Sequence, residues 1–222
     1  MNIMHTLDSF DTWQLVALAA ALGWASGIRL YAVLFIVGGL GYLHLVDLPG
    51  GLATLAHPYV LVASGFMLCV EFLADKVPGV DTIWDTVHTF IRIPAGAALA
   101  ASVFGDSSAA ATLAAAIIGG SLAAGSHFAK AGTRAVINAS PEPFSNWAAS
   151  FGEDLAVGTM LWLAFTHPIA ALIVIAVLVV LMIWLIPKVW RFIRALIRRV
   201  TGAPASPDGT AQDVTPRRAD VR

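Results

Sequence analysis

The stretch from Val80 to Ala101 constrains the fold more than any other part of the chain, because it places four ionisable side chains in an otherwise apolar segment. If the stretch is a helix, their spacing of i, i+4, i+7 and i+11 puts them on one face. They are Asp81, Asp85, His88 and Arg92. A lipid bilayer cannot solvate such a row, so this face must contact protein or a water-filled cavity. Pro94 leaves the Phe90 carbonyl without its usual helical donor, which predicts a kink.

The rest of the chain is strongly apolar. Of its 222 residues, 58% are hydrophobic and only 12% are charged, whereas soluble domains carry about 25% charged residues. The sequence therefore predicts an integral membrane protein, and its length suits one compact bundle. The single cysteine excludes an intramolecular disulfide.

Six apolar segments predict an all-α bundle of about six transmembrane helices. Their approximate bounds are 13–43, 58–74, 80–101, 109–138, 144–165 and 169–186. The first and fourth are longer than the roughly 20 residues that span a bilayer, so we expect helices one and four to be broken or strongly tilted. In the first segment, Gly23, Ser26 and Gly27 precede Arg29 and mark the expected break.

The fourth segment is rich in alanine and glycine. Gly120 with Ala124, and Ser121 with Gly125, have the four-residue spacing that lets two helices approach closely. We therefore expect this side of the helix to pack against a neighbouring helix.

The basic residues indicate the orientation in the membrane. Six spans put both termini on the same side, and Lys76, Lys130, Arg134 and the C-terminal tail all fall on that side. The three loops on the opposite side contain no Lys or Arg. The positive-inside rule then predicts that both termini are cytoplasmic.

The chain divides into four parts on this basis. Residues 1–12 form a cytoplasmic segment, and residues 13–187 form the transmembrane domain, with Pro187 ending the last span. Residues 188–200 are predicted to form a basic helix at the membrane surface, where Lys188 to Arg199 would contact anionic lipid headgroups. Residues 201–222 have no periodic apolar pattern and are predicted to be disordered.

Polar residues on the other segments match the row on the third. On the fourth segment they share one face at i, i+3, i+7 and i+11, and they are His127, Lys130, Arg134 and Asn138. The fifth segment contributes Asn146, Ser150, Glu153 and Asp154, and the first two segments contribute Arg29, Glu71 and Asp75. Four cations stand against six carboxylates in this set, so it could be largely self-neutralising.

These polar rows have two interpretations. They are either interhelical ion pairs that hold the bundle together, or the lining of a polar cavity open to the cytoplasm, which is the default role of ionisable groups inside a membrane. Either way, the row on the third segment should face the fourth or the fifth. His88 and His127 could carry protons near neutral pH or serve as hydrogen-bonded packing residues.

Specific pairs are expected from this arrangement. Arg29 lies too deep in the first segment to reach the membrane surface easily, and its guanidinium cannot lose its charge, so it needs a carboxylate partner. We expect that partner to be Glu71, because the second segment runs antiparallel to the first. The other expected pairs are Arg92 with Glu153 or Asp154, and Lys130 or Arg134 with Asp81 or Asp85.

A metal site or an enzyme is less well supported. Asp85 and His88 have the i, i+3 spacing of a carboxylate–imidazole pair, and Glu153 could approach from another helix. Only one such pair is present, however, and Arg92 and Lys130 would compete for the carboxylates. No nucleophile elbow, P-loop or dinucleotide fingerprint occurs. The sequence thus predicts no metal and no cofactor, favours a protein that is not an enzyme, and gives no indication of nucleic-acid binding.

Three stretches carry a family resemblance. They are ASGIRLYAVLF (25–35), EFLADKVPGVDTIWDTVHTFIRIPAGA (71–97) and KAGTRAVINASPEPFSNWAASFGED (130–154). They resemble an uncharacterised bacterial family of multi-pass membrane proteins that is known only as a domain of unknown function, and the similarity covers about residues 15–190. This resemblance implies a small helical protein of a bacterial inner membrane, and it assigns no activity, ligand or functional residue.

The function predicted from these features is a small transporter or channel-like protein for a small solute or ion, which would use a cytoplasm-facing polar cavity. The alternative is a structural or lipid-interacting membrane protein whose charges are all paired internally. A membrane-embedded enzyme is the third interpretation. A cavity containing unpaired Arg29 or Glu153 would favour the first, and complete pairing would favour the second. Membrane lipids are the expected partners in every case, and an oligomer is possible.

Overall fold

The computed structural model describes residues 10–77, 79–138 and 143–201, and these residues form helices and no strand. The six long helices are α1 (Thr12–Tyr42), α2 (Pro58–Ala74), α3 (Val80–Val103), α4 (Ala109–Asn138), α5 (Pro143–Thr166) and α6 (Pro168–Thr201), with a short 3-10 helix at Gly50–Ala56. The all-α prediction is confirmed. Residues 1–9 and 202–222 lie outside the described residues, so the cytoplasmic N-terminal segment and the disordered tail stay predictions.

Three of these helices, α1, α4 and α6, are long and apolar enough to cross a membrane. A fourth span is possible if the 3-10 helix and α2, which meet at an angle of 73°, count as one broken span. The expected count of about six is therefore a loose fit. Helices α3 and α5 have sufficient length, but their polar faces make their composition too hydrophilic for the same criterion.

Helix α1 lies at the centre of the bundle and packs against α3 and α4 through small residues. A Cβ atom on Gly23 would collide with the backbone of Gly119, and one on Gly27 would overlap Ser126 Oγ and the Ala123 carbonyl oxygen. The helices can approach this closely only because these positions have no larger side chain. The contact of α4 with α1 uses Gly119 and Ala123. Of the predicted positions, Gly120 faces Ala97 of α3 and Gly125 faces Met182 of α6, so they also contact neighbouring helices.

Helix α1 is interrupted at Arg29, whose φ of −140° and ψ of 73° are not helical. The interruption lies three residues beyond Ser26, so the expected break in helix one is confirmed close to its predicted place. The Ile28 carbonyl, next to the break, accepts a hydrogen bond from Lys130 Nζ at 3.2 Å. Non-helical backbone at this depth is tolerated because such groups find partners within the protein.

Neither Pro94, which was expected to kink α3, nor Pro187 ends its helix. Helix α3 continues through Pro94, and α6 continues through Pro187 to Thr201. Residues 188–200 therefore belong to α6 and do not form a separate helix, while the end of the membrane-spanning part at residue 187 stays a prediction. A proline inside a helix removes one hydrogen bond and can bend the helix without ending it.

Candidate functional site

A single network of ion pairs occupies the interior of the bundle. Nine charged side chains from α1, α2, α3, α4, α5 and the turn after α2 are connected by nitrogen–oxygen distances of 4.0 Å or less. The four cations are Arg29, Arg92, Lys130 and Arg134, and the five carboxylates are Glu71, Asp75, Asp85, Glu153 and Asp154. We refer to this set as the buried ionic network.

The first anchor of the network is Arg29, which the break in α1 presents to α5 and to the α2–α3 turn. Its side chain is fully buried. Nη1 lies 2.8 Å from Asp75 Oδ2, and Nε lies 3.0 Å from Asp154 Oδ1. Nη2 donates hydrogen bonds to the carbonyl and to the hydroxyl of Ser150, at 3.1 and 2.7 Å. One side chain thus ties the centre of α1 to two other parts of the bundle.

The second anchor is Arg92, in the middle of α3. Its Nη2 donates to Glu71 Oε1 at 2.6 Å, and its Nη1 donates to Asp85 Oδ1 at 2.7 Å. All three side chains are buried, with at most 2% of each exposed. The hydrogen bonds are charge-assisted, which accounts for their short length. We call these three residues the Glu71–Arg92–Asp85 triad.

Lys130 joins the two anchors. Its Nζ lies 3.0 Å from Asp75 Oδ2, 3.3 Å from Glu153 Oε2 and 3.6 Å from Asp85 Oδ1. Asp75 is in the turn between α2 and α3. Burial disfavours its charged form, but the positive charges of Lys130 and Arg29 outweigh this effect and lower the pKa of Asp75 below its usual value.

Arg134 closes the network at the end of α4. Its Nε and Nη2 donate to the two oxygens of Glu153, each at 3.0 Å, in the bidentate geometry for which a guanidinium is suited. Nη1 donates to the Asp75 carbonyl and to both oxygens of Asn146 at 3.1 Å. Arg134 therefore holds α5 and the α2–α3 turn against α4.

Asp81 is buried but is bound by neutral donors. Asn138 Nδ2 donates to both of its oxygens at 2.9 Å, and the backbone N–H groups of Gly79 and Thr82 donate to Oδ1. Asn146 in turn donates to Asn138 at 2.8 Å. Asp81 thus fixes the start of α3 to the end of α4 without an ion pair among the described residues.

His88 bridges α3 to α1. Because the Trp84 carbonyl can only accept, His88 Nδ1 must donate to it, over 2.8 Å. The neutral ring then accepts a hydrogen bond from the Tyr31 hydroxyl at Nε2, over 3.1 Å. His88 also stacks on the indole ring of Trp84. His88 is therefore a packing residue that is held in place by two hydrogen bonds.

A small polar pocket reaches the network between α3 and α4. It has a volume of about 220 Å³ and is lined by Thr82, Asp85, Thr86, Thr89, His127, Phe128 and Ala131. His127 Nε2 lies 2.7 Å from Thr89 Oγ1, and His127 Nδ1 lies 3.3 Å from Arg92 Nη1. Among the described residues, neither Asp85 Oδ2 nor Glu71 Oε2 has a hydrogen-bond partner, and both atoms are buried.

A second, larger cavity lies among α1, α4, α5 and α6 and has a volume of about 410 Å³. Its walls are mostly apolar and include Trp24, Leu178 and Met182. Lys130 and Glu153 are its charged lining residues. A mostly apolar cavity with a few convergent polar groups is the usual form of a small-molecule site.

The structure brings together all fifteen residues expected at the polar site, but it changes several pairs. The row on α3 faces α4, and Lys130 lies near Asp85, so both predictions are confirmed. The predicted pair of Arg29 with Glu71 is wrong, because Arg29 contacts Asp75 and Asp154.

The predicted pair of Arg92 with Glu153 or Asp154 is also wrong, since Arg92 binds Glu71 and Asp85. Asp75 lies one turn beyond Glu71. Because of this offset, Arg29 binds Asp75, and Glu71 binds Arg92 instead. Sequence analysis also missed Tyr31 and Thr89, whose only signal was their position next to Arg29 and His88.

Among the described residues, no group of three or more His, Cys, Asp or Glu side chains is arranged to hold a metal. Comparisons with curated proteins and with solved structures give no match. Residues 16–188 match the model of a family described as "Domain of unknown function (DUF4126)". The match includes every residue of the buried ionic network. Since it covers well over half of the chain, the protein belongs to this family.

Proposed function

We propose that this chain is an integral protein of the bacterial cytoplasmic membrane, with both termini in the cytoplasm, and that it transports a small solute or ion. The observation that carries the proposal is the interruption of α1 at a fully buried arginine that is surrounded by the ionic network. Interrupted helices whose freed backbone groups and charged residues meet near the middle of the membrane are a recurring feature of transporter binding sites.

The cavities support this assignment. The larger cavity reaches Lys130 and Glu153, and the smaller pocket reaches Asp85, so a solute or ion could approach the network from two sides of α4. Glu153 remains partly accessible, with 16% of its side chain exposed. The network sits in the halves of α3, α4 and α5 that the positive-inside rule assigns to the cytoplasm.

The proposal can be tested with the full-length protein in proteoliposomes. Proton, Na⁺, K⁺ and Cl⁻ movement would be followed with ion-sensitive dyes under an imposed gradient and a defined membrane potential. We expect one of these fluxes to exceed that of empty vesicles and to fall at least tenfold in Glu153→Gln, while Arg191→Ala, at the exposed end of α6, keeps it. Equal fluxes in protein-containing and empty vesicles would contradict ion transport.

The alternative, a structural membrane protein, is favoured by one observation. Each of the four cations in the network has a carboxylate oxygen within 3.0 Å, including Arg29, which would have favoured a transporter cavity if it were unpaired. If the network serves only to hold the bundle together, replacing charged residues should lower stability, and no flux should be observed for any ion.

We also propose that the basic end of α6 binds anionic lipid headgroups. Lys188 Nζ lies 2.9 Å from the ring centroid of Trp184, and the Arg194 guanidinium lies over Trp190. Aromatic and basic side chains of this kind are typical of the membrane interface. Vesicles with and without phosphatidylglycerol would test it: the anionic lipid should raise the thermal stability of the protein, and Lys188→Ala/Arg194→Ala should remove that increase.

A further inference from the structure

The Glu71–Arg92–Asp85 triad contains one more negative charge than positive charge. A single guanidinium is shared by two carboxylates, which it contacts at 2.6 and 2.7 Å. In the part of the chain that the structure describes, each carboxylate has a second oxygen, Glu71 Oε2 or Asp85 Oδ2, that is buried without a hydrogen-bond partner. A buried carboxylate oxygen without a donor is a strongly unfavourable arrangement, and protonation is the usual way in which such a group is neutralised.

The surrounding network does not supply the missing charge. Its five carboxylates outnumber its four cations, and the neighbouring Lys76 acts on Asp75 and Asp154. Lys130 is the nearest other cation, at 3.6 Å from Asp85 Oδ1, and it lies closer to Asp75 and Glu153. The side chain of Asp154 is one-third exposed, so solvent can screen its charge. The side chains of the triad are buried, so solvent cannot screen their charges.

The pocket between α3 and α4 gives the triad a route to the outside. The buried Asp85 is one of its lining residues, and the exposed Thr82 and Thr86 also line it. A volume of about 220 Å³ accommodates several water molecules, each of which occupies about 30 Å³ in the liquid. Water and the threonine hydroxyls can both donate and accept hydrogen bonds, so they can pass a proton inward.

A proton fits this site better than a metal cation does. A metal ion at Asp85 would be repelled by Arg92 and Lys130, which both lie within 3.6 Å of Oδ1. A proton instead forms a covalent bond with Oδ2, the oxygen that accepts no hydrogen bond from the described residues, and it does not require the several ligands of a metal ion. The resulting carboxylic acid has lost the charge that made its burial unfavourable.

We propose that the Glu71–Arg92–Asp85 triad holds one exchangeable proton, which enters through the threonine-lined pocket and binds at Asp85 Oδ2. In this step a hydronium ion transfers its proton to Asp85. One O–H bond of the hydronium ion breaks, one O–H bond forms at Asp85 Oδ2, and a water molecule leaves. The inference deepens the proposed transport function and rests on it, because it identifies the proton as the transported or coupling ion.

Other charged and titratable groups surround Asp85 and will influence its protonation. They are His88 and Arg92 on α3, His127 and Lys130 on α4, Glu71 on α2, Asp75 in the following turn, and Tyr31 on α1, which reaches His88. An observed protonation must therefore be assigned to one carboxylate. Aspartate labelling in infrared spectroscopy separates aspartates from glutamates, and a substitution at Asp85 completes the assignment.

The test uses the full-length protein in lipid vesicles and follows the carbonyl band of protonated carboxylic acids by infrared difference spectroscopy as pH is varied. Labelling of aspartate side-chain carboxyls with ¹³C separates aspartate from glutamate without any mutation. We expect a buried carboxylic-acid band that responds to pH and shifts on aspartate labelling. Asp85→Asn should remove this band, and the matched control Asp81→Asn, a buried aspartate with neutral partners, should leave it in place.

Several results would overturn the inference. One is that no carboxylic-acid band is observed at any pH at which the protein stays folded. Another is a band that does not shift on aspartate labelling. The third is a band that is still observed in Asp85→Asn. If Asp85→Asn does not fold, Asp85→Glu, which keeps the carboxyl group, decides: its band should remain but should no longer shift on aspartate labelling. A band that behaves as expected in vesicles without ion flux would support the proton site and contradict transport, whereas flux without the band would contradict the proton site alone.

Discussion

Helices α1 and α6 are both long and apolar enough to cross a membrane, yet they occupy opposite environments. In the most apolar 18-residue window of α1, 78% of the residues are buried inside the protein, whereas in α6 the figure is 11%. The more hydrophobic of the two, α6, is therefore the one that lies outside. Apolar character alone does not decide which helix becomes the centre of this bundle.

The difference follows from the solvent. Lipid is as apolar as leucine, so an aliphatic helix gains little by leaving it, and helices associate through close packing and polar contacts instead. Helix α1 provides both, through glycines at positions 23 and 27 and through Arg29. Helix α6 has no glycine and carries bulky side chains such as Ile183 and Trp184 on its exposed surface.

The largest effect that would test this comparison is expected from Arg29→Ala. It leaves Asp75 and Asp154 with one cation fewer in a buried setting, which should cost about 3–5 kcal/mol of unfolding free energy. Arg29→Lys should recover only part of this loss, because it lacks the planar guanidinium. The matched change on α6, Arg191→Ala, should cost no more than about 0.5 kcal/mol. Unfolding in mixed detergent micelles would measure all three, and an equal effect of the two alanine substitutions would refute the central role of α1.

The next largest effect is expected from truncating leucines on the two helices. Leu22 on α1 is fully buried, and Leu22→Ala should cost about 2–5 kcal/mol because the bundle cannot fill the cavity. Leu181 on α6 is half exposed, so Leu181→Ala should change the unfolding free energy by about 0.5 kcal/mol. If Leu181→Ala proves as costly, α6 must be buried in solution against something other than lipid or detergent.

A smaller effect should follow from adding one methyl group at a helix contact. In Gly27→Ala the new Cβ overlaps Ser126 Oγ and the Ala123 backbone, so α1 and α4 must separate, at a cost of about 1–3 kcal/mol. In Gly152→Ala on α5 the new Cβ meets no atom of the other described residues within 4 Å, so the change should stabilise its helix by up to about 1 kcal/mol. Thermal unfolding of the two variants should therefore move in opposite directions. A Gly27→Ala protein as stable as the wild type would mean that the contact is looser than described.

The smallest expected effect is a coupling energy that identifies the partner of Glu71. A double-mutant cycle on Glu71 and Arg92, which are in direct contact, should give a coupling of about 0.5–3 kcal/mol. The cycle on Glu71 and Arg29 should give a smaller value, because these two form no ion pair in the described part of the chain. If the second cycle gave the larger coupling, the pairing expected from sequence would be restored.

The sequence by itself determined that the chain is helical and apolar, that α1 is interrupted near Arg29, and that the polar residues of α3 share an inward face. These properties depend on composition and on the 3.6-residue period of a helix, so neighbouring residues are sufficient to predict them. All fifteen expected polar residues meet at one site for the same reason: their burial in lipid would be too costly anywhere else.

Only the tertiary structure decided which charges pair and which small residues touch. One residue turns a helix by about 100°, so the neighbouring glycines contact different helices: Gly119 touches Gly23 of α1, and Gly120 faces Ala97 of α3. One turn moves a side chain by about 5.4 Å along the axis, more than the length of an ion pair, so Glu71 and Asp75 exchange arginines when α2 shifts by one turn. The rotation and axial offset of each helix depend on contacts with all of its neighbours at once, and no local sequence pattern records them.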